Sequence, residues 1–332
     1  MSSSPNRPRF SLGRLFGRSA PATPAAAGGA GYVTGGNISK GVLMVLTAVV
    51  FFSITDSLAK YLTRFYPVSL IVWSRFTFHL LLVVVLLGPR YGLKLVRTKR
   101  PAEQVLRGLL LLIGAMLFNT ALKFLPLAEA SAIAYLAPLF VTLMSAFFLK
   151  EKVELARWIA ILCSFAGVLI IIRPGSGIFT WAALLPVTNA TTFAIYQIVT
   201  RRLANLESPY TSIFYAGLVG CVSLSVILPD VWVMPQTWGH AAALVSIGLF
   251  GALGHLILIK AYVYASASRL APFSYTQLIW VAIIGFFVFG DFPDAWSLLG
   301  MSILIASGVY MVTRERRSAR MNAPDPNVPM SD

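Results

Sequence analysis

VSLIVWSRFTFHLLLVVVLLG, residues 68–88, is an apolar run with one formal charge, Arg75. At 1.5 Å of rise per residue, a helix of roughly 20 apolar residues crosses the hydrocarbon core of a bilayer. The segment Leu80–Leu87 shows no alternation of polar and apolar positions, so it does not read as a barrel strand. Nine further runs resemble it, at 41–61, 105–122, 127–149, 155–172, 178–199, 209–228, 239–260, 270–290 and 295–313. Turn signals or charges separate them, among them Tyr66-Pro67, Gly88-Pro89-Arg90, Lys150-Glu151-Lys152 and Arg173-Pro174-Gly175. The pattern predicts an all-α integral membrane protein with ten transmembrane helices. Several connections span only a few residues, so sequence neighbours should run antiparallel.

Composition agrees with lipid as the solvent. Hydrophobic residues make up 57% of the 332 and charged residues 12%, against about 25% charged in a soluble domain. Mean hydropathy is +0.77. The net charge of +15 does not mark a nucleic-acid surface, because the basic residues fall at alternate ends of the apolar runs. With ten helices, 22 of the 27 Lys and Arg lie on one side, and only Lys60, Arg64, Lys123 and Arg173 on the other. The excess belongs in the cytoplasm. Both termini are therefore expected there, in a multi-pass protein of the cell inner (plasma) membrane. Cys163 and Cys221 lie in apolar runs and read as small hydrophobes. Residues 1–37 lack an acidic residue and a short apolar core with a cleavage site. They read as a disordered cytoplasmic tail, with an organellar transit peptide as the alternative. A second cytoplasmic tail is expected from 314 onward, disordered over 318–332.

A shift of 140 residues pairs Gly108 with Gly248, Gly114 with Gly254, Tyr135 with Tyr275, and Glu151 with Asp291. Shifts of 141–142 pair Phe52 with Phe193, Lys60 with Arg201, and Pro67 with Pro209. The chain thus divides into two five-helix repeats, 38–173 and 174–313. Five is odd, so the second repeat should be inverted relative to the first. That is an arrangement found in secondary transporters, with the substrate site near the midplane at the repeat interface. A duplicated membrane scaffold is the other reading.

Three stretches resemble the EamA family of the drug/metabolite transporter superfamily. These are Pro67 to Phe76 with its Arg75-Phe76, Leu125-Pro126-Leu127-Ala128-Glu129 through Tyr135 and Pro138 to Lys150-Glu151, and Gly167 to Gly175. The resemblance covers residues 40–313 and implies a ten-helix carrier of amino acids, their derivatives or similar metabolites. The sequence departs from the family pattern at Lys150, at Phe289-Gly290-Asp291 and at Leu278, which stands where the first repeat has Pro138.

An ionisable group at mid-bilayer costs at least about 2.5–3.5 kcal/mol on insertion scales, so such groups are site candidates. Asp56 and Arg75 are expected at similar depths, roughly 9 and 12 Å from the outer ends of their helices. They form either a structural ion pair or a site in which Arg75 holds a substrate carboxylate and Asp56 takes a coupling proton. His79, one turn from Arg75, and His255 are candidates for proton relay or for packing. Glu129 and Glu151, at the two ends of the fourth helix, are candidate gates or interfacial charges. Asn119, Tyr135, Pro138, Tyr196, Gln197, Tyr275, Gln277 and Trp280 are candidate pocket residues or interhelical contacts. Pro138 lacks an N–H, which leaves a carbonyl free in its helix.

No phosphate loop, metal-ligand spacing or surface triad appears, and Gly28-Gly29-Ala30-Gly31 follows no strand. Neither a cofactor nor a metal is expected. The expected partners are the lipid bilayer, a small-molecule substrate and a proton, with nucleic acid excluded. The functional expectation is secondary active transport. An integral-membrane enzyme on lipid-linked substrates and a passive channel are the rivals.

Overall fold

The computed structural model describes residues 38–148, 155–173, 181–203, 206–265 and 267–321. They form α1 (Ile38–Leu62), α2 (Val68–Tyr91), α3 (Pro101–Ala121), α4 (Leu127–Ala134), α5 (Ala137–Phe148) and α6 (Leu155–Ile172). There follow α7 (Leu184–Leu203), α8 (Pro209–Ser225), the short α9 (Leu228–Val231), α10 (Trp238–Tyr264), α11 (Ala267–Ser274), α12 (Thr276–Ile284) and α13 (Ala295–Met321). No strand occurs among the described residues. Among the described residues, seven helical stretches are long and apolar enough to cross a membrane, and Trp158–Ile172 and Ala295–Met311 are shorter apolar helices.

Local chemistry sets the boundaries. Pro101 stands in the first turn of α3, where its missing N–H costs nothing. Ser208 and Thr237 side chains accept from the Tyr210 and His240 amides and cap α8 and α10. The Gly88-Pro89 signal does not stop α2, which continues to Tyr91. It ends where Gly92 takes a φ of 50°, a left-handed position open to glycine. The C-terminal helix also outruns its expected end, because α13 is helical to Met321.

Two breaks interrupt otherwise continuous helices. Between α4 and α5 the chain turns at Tyr135-Leu136, just before Pro138, and between α11 and α12 it turns at Tyr275. Pro138 thus starts a helix rather than kinking one. Its absent N–H falls in the first turn of α5, where no intrahelical donor is needed.

Packing follows a two-fold pattern. α1 packs on α10 and α3 on α7; α2 packs on α10 and α3 on α8. α1 touches α11 and α12, as α7 touches α4 and α5, while α2–α8 and α6–α13 pack as pairs. Exchanging α1 with α7, α2 with α8, α3 with α10, α4–α5 with α11–α12, and α6 with α13 leaves these pairings unchanged. The first residues of α1 meet the last of α10, with Val45 against Ala261. Phe124, beyond the other end of α3, meets Trp181 at the start of α7. α1 and α7 therefore start at opposite ends of the bundle. Exposed Leu81, Val85, Ile113, Leu162 and Phe287 give the outside an apolar surface suited to lipid.

At the α6–α13 crossing the two backbones approach closely, with Ile171 beside Gly300 and Ile303 beside Gly167. A Cβ added at Gly300 would stand 2.5 Å from the Gly167 carbonyl oxygen, and one added at Gly167 would stand 2.9 Å from that of Gly300. Only glycine fits both positions. Gly300→Leu should lower stability by about 1–3 kcal/mol or more through overpacking. It should be read as a lower thermal midpoint in detergent, whereas Leu298→Ala on the exposed face of α13 should leave the midpoint unchanged.

Candidate functional site

The two helix breaks meet. Tyr135, which ends α4, and Tyr275, which precedes α12, lie with ring centroids 5.2 Å apart. The Tyr135 hydroxyl donates to the Ser274 carbonyl at 2.8 Å and lies 3.1 Å from Oε1 of Gln277. Gln277 Nε2 donates to Asp56 Oδ2 at 3.2 Å, and Asp56 Oδ1 lies 3.7 Å from Nη1 of Arg75. A continuous polar chain thus joins α4, α12, α1 and α2 among buried or half-buried side chains. Gly308 of α13 makes room for the Tyr275 hydroxyl, which occupies the space a Cβ there would need.

At 3.7 Å the Asp56–Arg75 contact is an ion pair without close bidentate geometry, so the guanidinium retains donors for another anion. Gly251 of α10 lies beside it, and a Cβ there would be 4.0 Å from Arg75 Nε. His79, one turn along α2, meets His255 of α10 with ring centroids 5.9 Å apart. Nε2 of His79 is buried with no hydrogen-bond partner. His255 packs on Phe52 at 4.9 Å.

Asp56, Arg75, His79, His255, Tyr135, Tyr275 and Gln277 therefore form one neighbourhood, with Pro138 in the turn beyond Tyr135. The structure separates four other candidates from it. Trp280 is 39% exposed on α12, one turn beyond Gln277, and makes no hydrogen bond or ring contact to the group among the described residues. Asn119 donates to its own helix at the Ala115 carbonyl, 2.8 Å away, rather than to the group. Tyr196 and Gln197 lie on α7, where Tyr196 belongs to a different cluster.

Sequence reasoning missed the centre of that second cluster. Arg107, at the start of the run 105–122 and counted only among the basic charges of its side, is 5% exposed. Its Nε donates to Thr200 Oγ1 at 2.8 Å, Nη1 to the Ser212 carbonyl at 2.6 Å and Nη2 to the Tyr196 hydroxyl at 2.7 Å. One guanidinium thus ties α3 to α7 and α8 at the end of the bundle where α1 begins. Its only sequence signal is its place six residues beyond Pro101, inside a helix rather than before it.

A third set closes the opposite end. Lys60 Nζ lies 2.9 Å from Asp291 Oδ2 and donates to the Leu125 carbonyl at 3.3 Å. The π-helical turn Gly285–Phe289 and Gly290, at a φ of 74°, carry Asp291 to that place. Glu129, in the first turn of α4, accepts from Ser297 Oγ at 2.9 Å. The Ser297 amide donates to Asp294 Oδ1 at 2.8 Å, and Asp294 also pairs with Arg173. Arg173, then the Ser297 amide, holds the Asp294 carboxyl below its ordinary value. This tie is complete at neutral pH and is lost only as the pH falls through that lowered value. Glu151 lies outside the described residues.

The profile of the EamA-like transporter family matches residues 39–173 and again 180–314. The chain belongs to that family. Among its EamA-like relatives, a riboflavin transporter of Vibrio cholerae is 33% identical over 85% of this chain and 95% of its own length. An S-adenosylmethionine uptake transporter of Rickettsia bellii is 30% identical over 84% and 96%. A pseudopaline exporter of Pseudomonas aeruginosa is 28% identical over 84% and 98%. A solved crystal structure superposes with a TM-score of 0.59 over 84% of this chain and 99% of that one, at 22% identity, and so shares the fold. This EamA-like chain is a multi-pass membrane transporter of the drug/metabolite superfamily, embedded in a lipid bilayer and handling a small-molecule substrate.

Proposed function

We propose that the chain is a secondary active carrier of a small organic metabolite, such as an amino acid or a related compound, working by alternating access across the bacterial inner membrane. In this reading it has ten spans in two inverted five-helix halves, 38–173 and 174–313, and both termini are cytoplasmic. The single observation that carries the proposal is the meeting of two broken helices, at Tyr135 and Tyr275, beside Asp56, Arg75 and Gln277. Irregular backbone at membrane depth is tolerated only where it lines a cavity or is covered by protein, and discontinuous helices mark carrier sites.

The chemistry suits a solute with a carboxylate and a cationic or aromatic group. Arg75 takes the carboxylate, while the Tyr135 and Tyr275 rings and Gln277 orient the remainder. One relative's name fits this class, since S-adenosylmethionine carries carboxylate, ammonium and aromatic groups, whereas riboflavin shares only the aromatic part. When a substrate carboxylate occupies Arg75, Asp56 loses its ion-pair partner. An unpaired carboxylate at that depth is costly, and Asp56 takes up a proton, with His79 and His255 as its path. Glu129 and the Lys60–Asp291 pair gate one end of the bundle and Arg107 the other.

The test is flux through proteoliposomes loaded with amino acids, S-adenosylmethionine or riboflavin, run in both directions. Saturable counterflow of one such solute is expected; its absence for every one would overturn the reading. Asp56→Asn should keep counterflow and lose accumulation driven by a proton gradient. Equal accumulation by the variant would remove Asp56 from the coupling.

A further inference from the structure

The residues after α1, those after α3 and the turn after α12 surround a cavity of about 530 Å³ at the end of the bundle where α1 stops. Lys60, Arg64 and Lys123 line it against one carboxylate, Asp291. The charge pattern leaves only four basic residues for this face, and three of them surround this one space. The fourth, Arg173, is paired with Asp294. Cations are sparse on this face and repel one another when gathered, so their convergence calls for a counter-charge.

The cavity has a built floor. The Lys60 side chain is 9% exposed, and its ammonium is fixed between Asp291 and the Leu125 carbonyl. Asp291 balances one cation, which leaves two in excess. Arg64 is exposed, with its guanidinium 5.3 Å over the Phe289 ring, and Lys123 is exposed on the facing wall. Cations on several sides can each meet a different oxygen of a tetrahedral dianion, whereas a carboxylate would be satisfied by one arginine fork. The volume falls in the range of ordinary ligand sites, roughly 300–1,000 Å³, and exceeds what a bare phosphate fills.

We propose that this cavity binds the phosphate group of an organic phosphate through Arg64, Lys123 and Lys60, as a site separate from the Asp56–Arg75 cluster. The phosphate belongs either to a lipid headgroup of the adjoining leaflet or to a soluble phosphate ester. The site stands on its own geometry and does not require the coupling assigned to Asp56.

The full chain, purified and stripped of lipid, is compared with the double variant Arg64→Gln, Lys123→Gln. Both side chains are exposed, so equal thermal midpoints in phosphate-free buffer are expected. One arm measures the rise in midpoint with glycerol 3-phosphate. The other measures by native mass spectrometry the retention of phosphatidylglycerol over phosphatidylcholine. The wild type should respond in at least one arm, and the double variant should lose about tenfold in affinity or retention, with added salt weakening the wild-type response. A response to the ester alone assigns the soluble source, and selective lipid retention alone assigns the headgroup. If the double variant does not fold, Lys123→Gln alone should lose about threefold. No response by the wild type in either arm, or an undiminished response by the variants, overturns the proposal.

Discussion

Replacing Arg75 with lysine should cut solute uptake about 100-fold or more, with protein yield and thermal midpoint close to wild type. The cut follows from geometry rather than charge. Lysine keeps the positive charge that Asp56 needs, so the variant leaves no unpaired buried carboxylate and the fold survives. What it loses is the planar fork that can turn from its single contact with Asp56 to grip a substrate carboxylate with two parallel bonds. A bidentate charged contact in a water-poor site is worth about 3 kcal/mol, or roughly 100-fold. Arg75→Gln should remove uptake altogether and also lower the midpoint, because Asp56 then stands without a cation. The measurement is the initial rate of uptake into proteoliposomes at matched protein density. An Arg75→Lys variant with wild-type rates would reduce the pair to a structural tie between α1 and α2.

The second large effect belongs to Arg107. Its three hydrogen bonds reach α7 twice and α8 once, and all three acceptors are buried or half-buried. Arg107→Gln should cost about 3 kcal/mol or more, since hydrogen bonds to a charged group are worth about 1.5–3 kcal/mol each and the Ser212 carbonyl is left buried without its donor. Tyr196→Phe removes one partner and should cost less. If Arg107 closes this end of the carrier, the loss also opens it. Ser212→Cys provides a probe, because Ser212 is buried beside Gln104 and Arg107. The thiol should resist a water-soluble maleimide in an otherwise wild-type chain and react quickly once Arg107→Gln is added. Equal protection in both backgrounds would make Arg107 a static brace.

The membrane class of the fold could be read from the sequence because lipid imposes a coarse rule. A run such as Leu80–Leu87 has few soluble alternatives, and the same rule made Asp56 and Arg75 conspicuous. Depth counting placed that pair at matching levels on neighbouring helices, which is all an ion pair between antiparallel helices requires. The 140-residue shift brought Tyr135 and Tyr275 into register, and the structure places their rings together.

What escaped the sequence was long-range partnership. Gln277 reaches Asp56 across 221 positions, and no periodicity encodes such a distance. Arg107 opens the run 105–122 and reads there as one more basic charge at a helix end; only its partners on α7 and α8 distinguish it. Trp280 stands one turn from Gln277 and is 39% exposed; the break at Tyr275 resets the helical phase, so which residues of α12 face the cluster is defined only after the break is known. The length of α13 was missed because the apolar run ends at residue 313, while the helix continues through polar sequence to Met321.

The glycine crossing between α6 and α13 has a consequence for how the halves can move. Side chains that interlock act as gear teeth, and Ile171 and Ile303 are such teeth, seated in the notches of Gly300 and Gly167. The two helices would therefore travel together as one keyed strut, and a rearrangement of the bundle would have to pivot elsewhere.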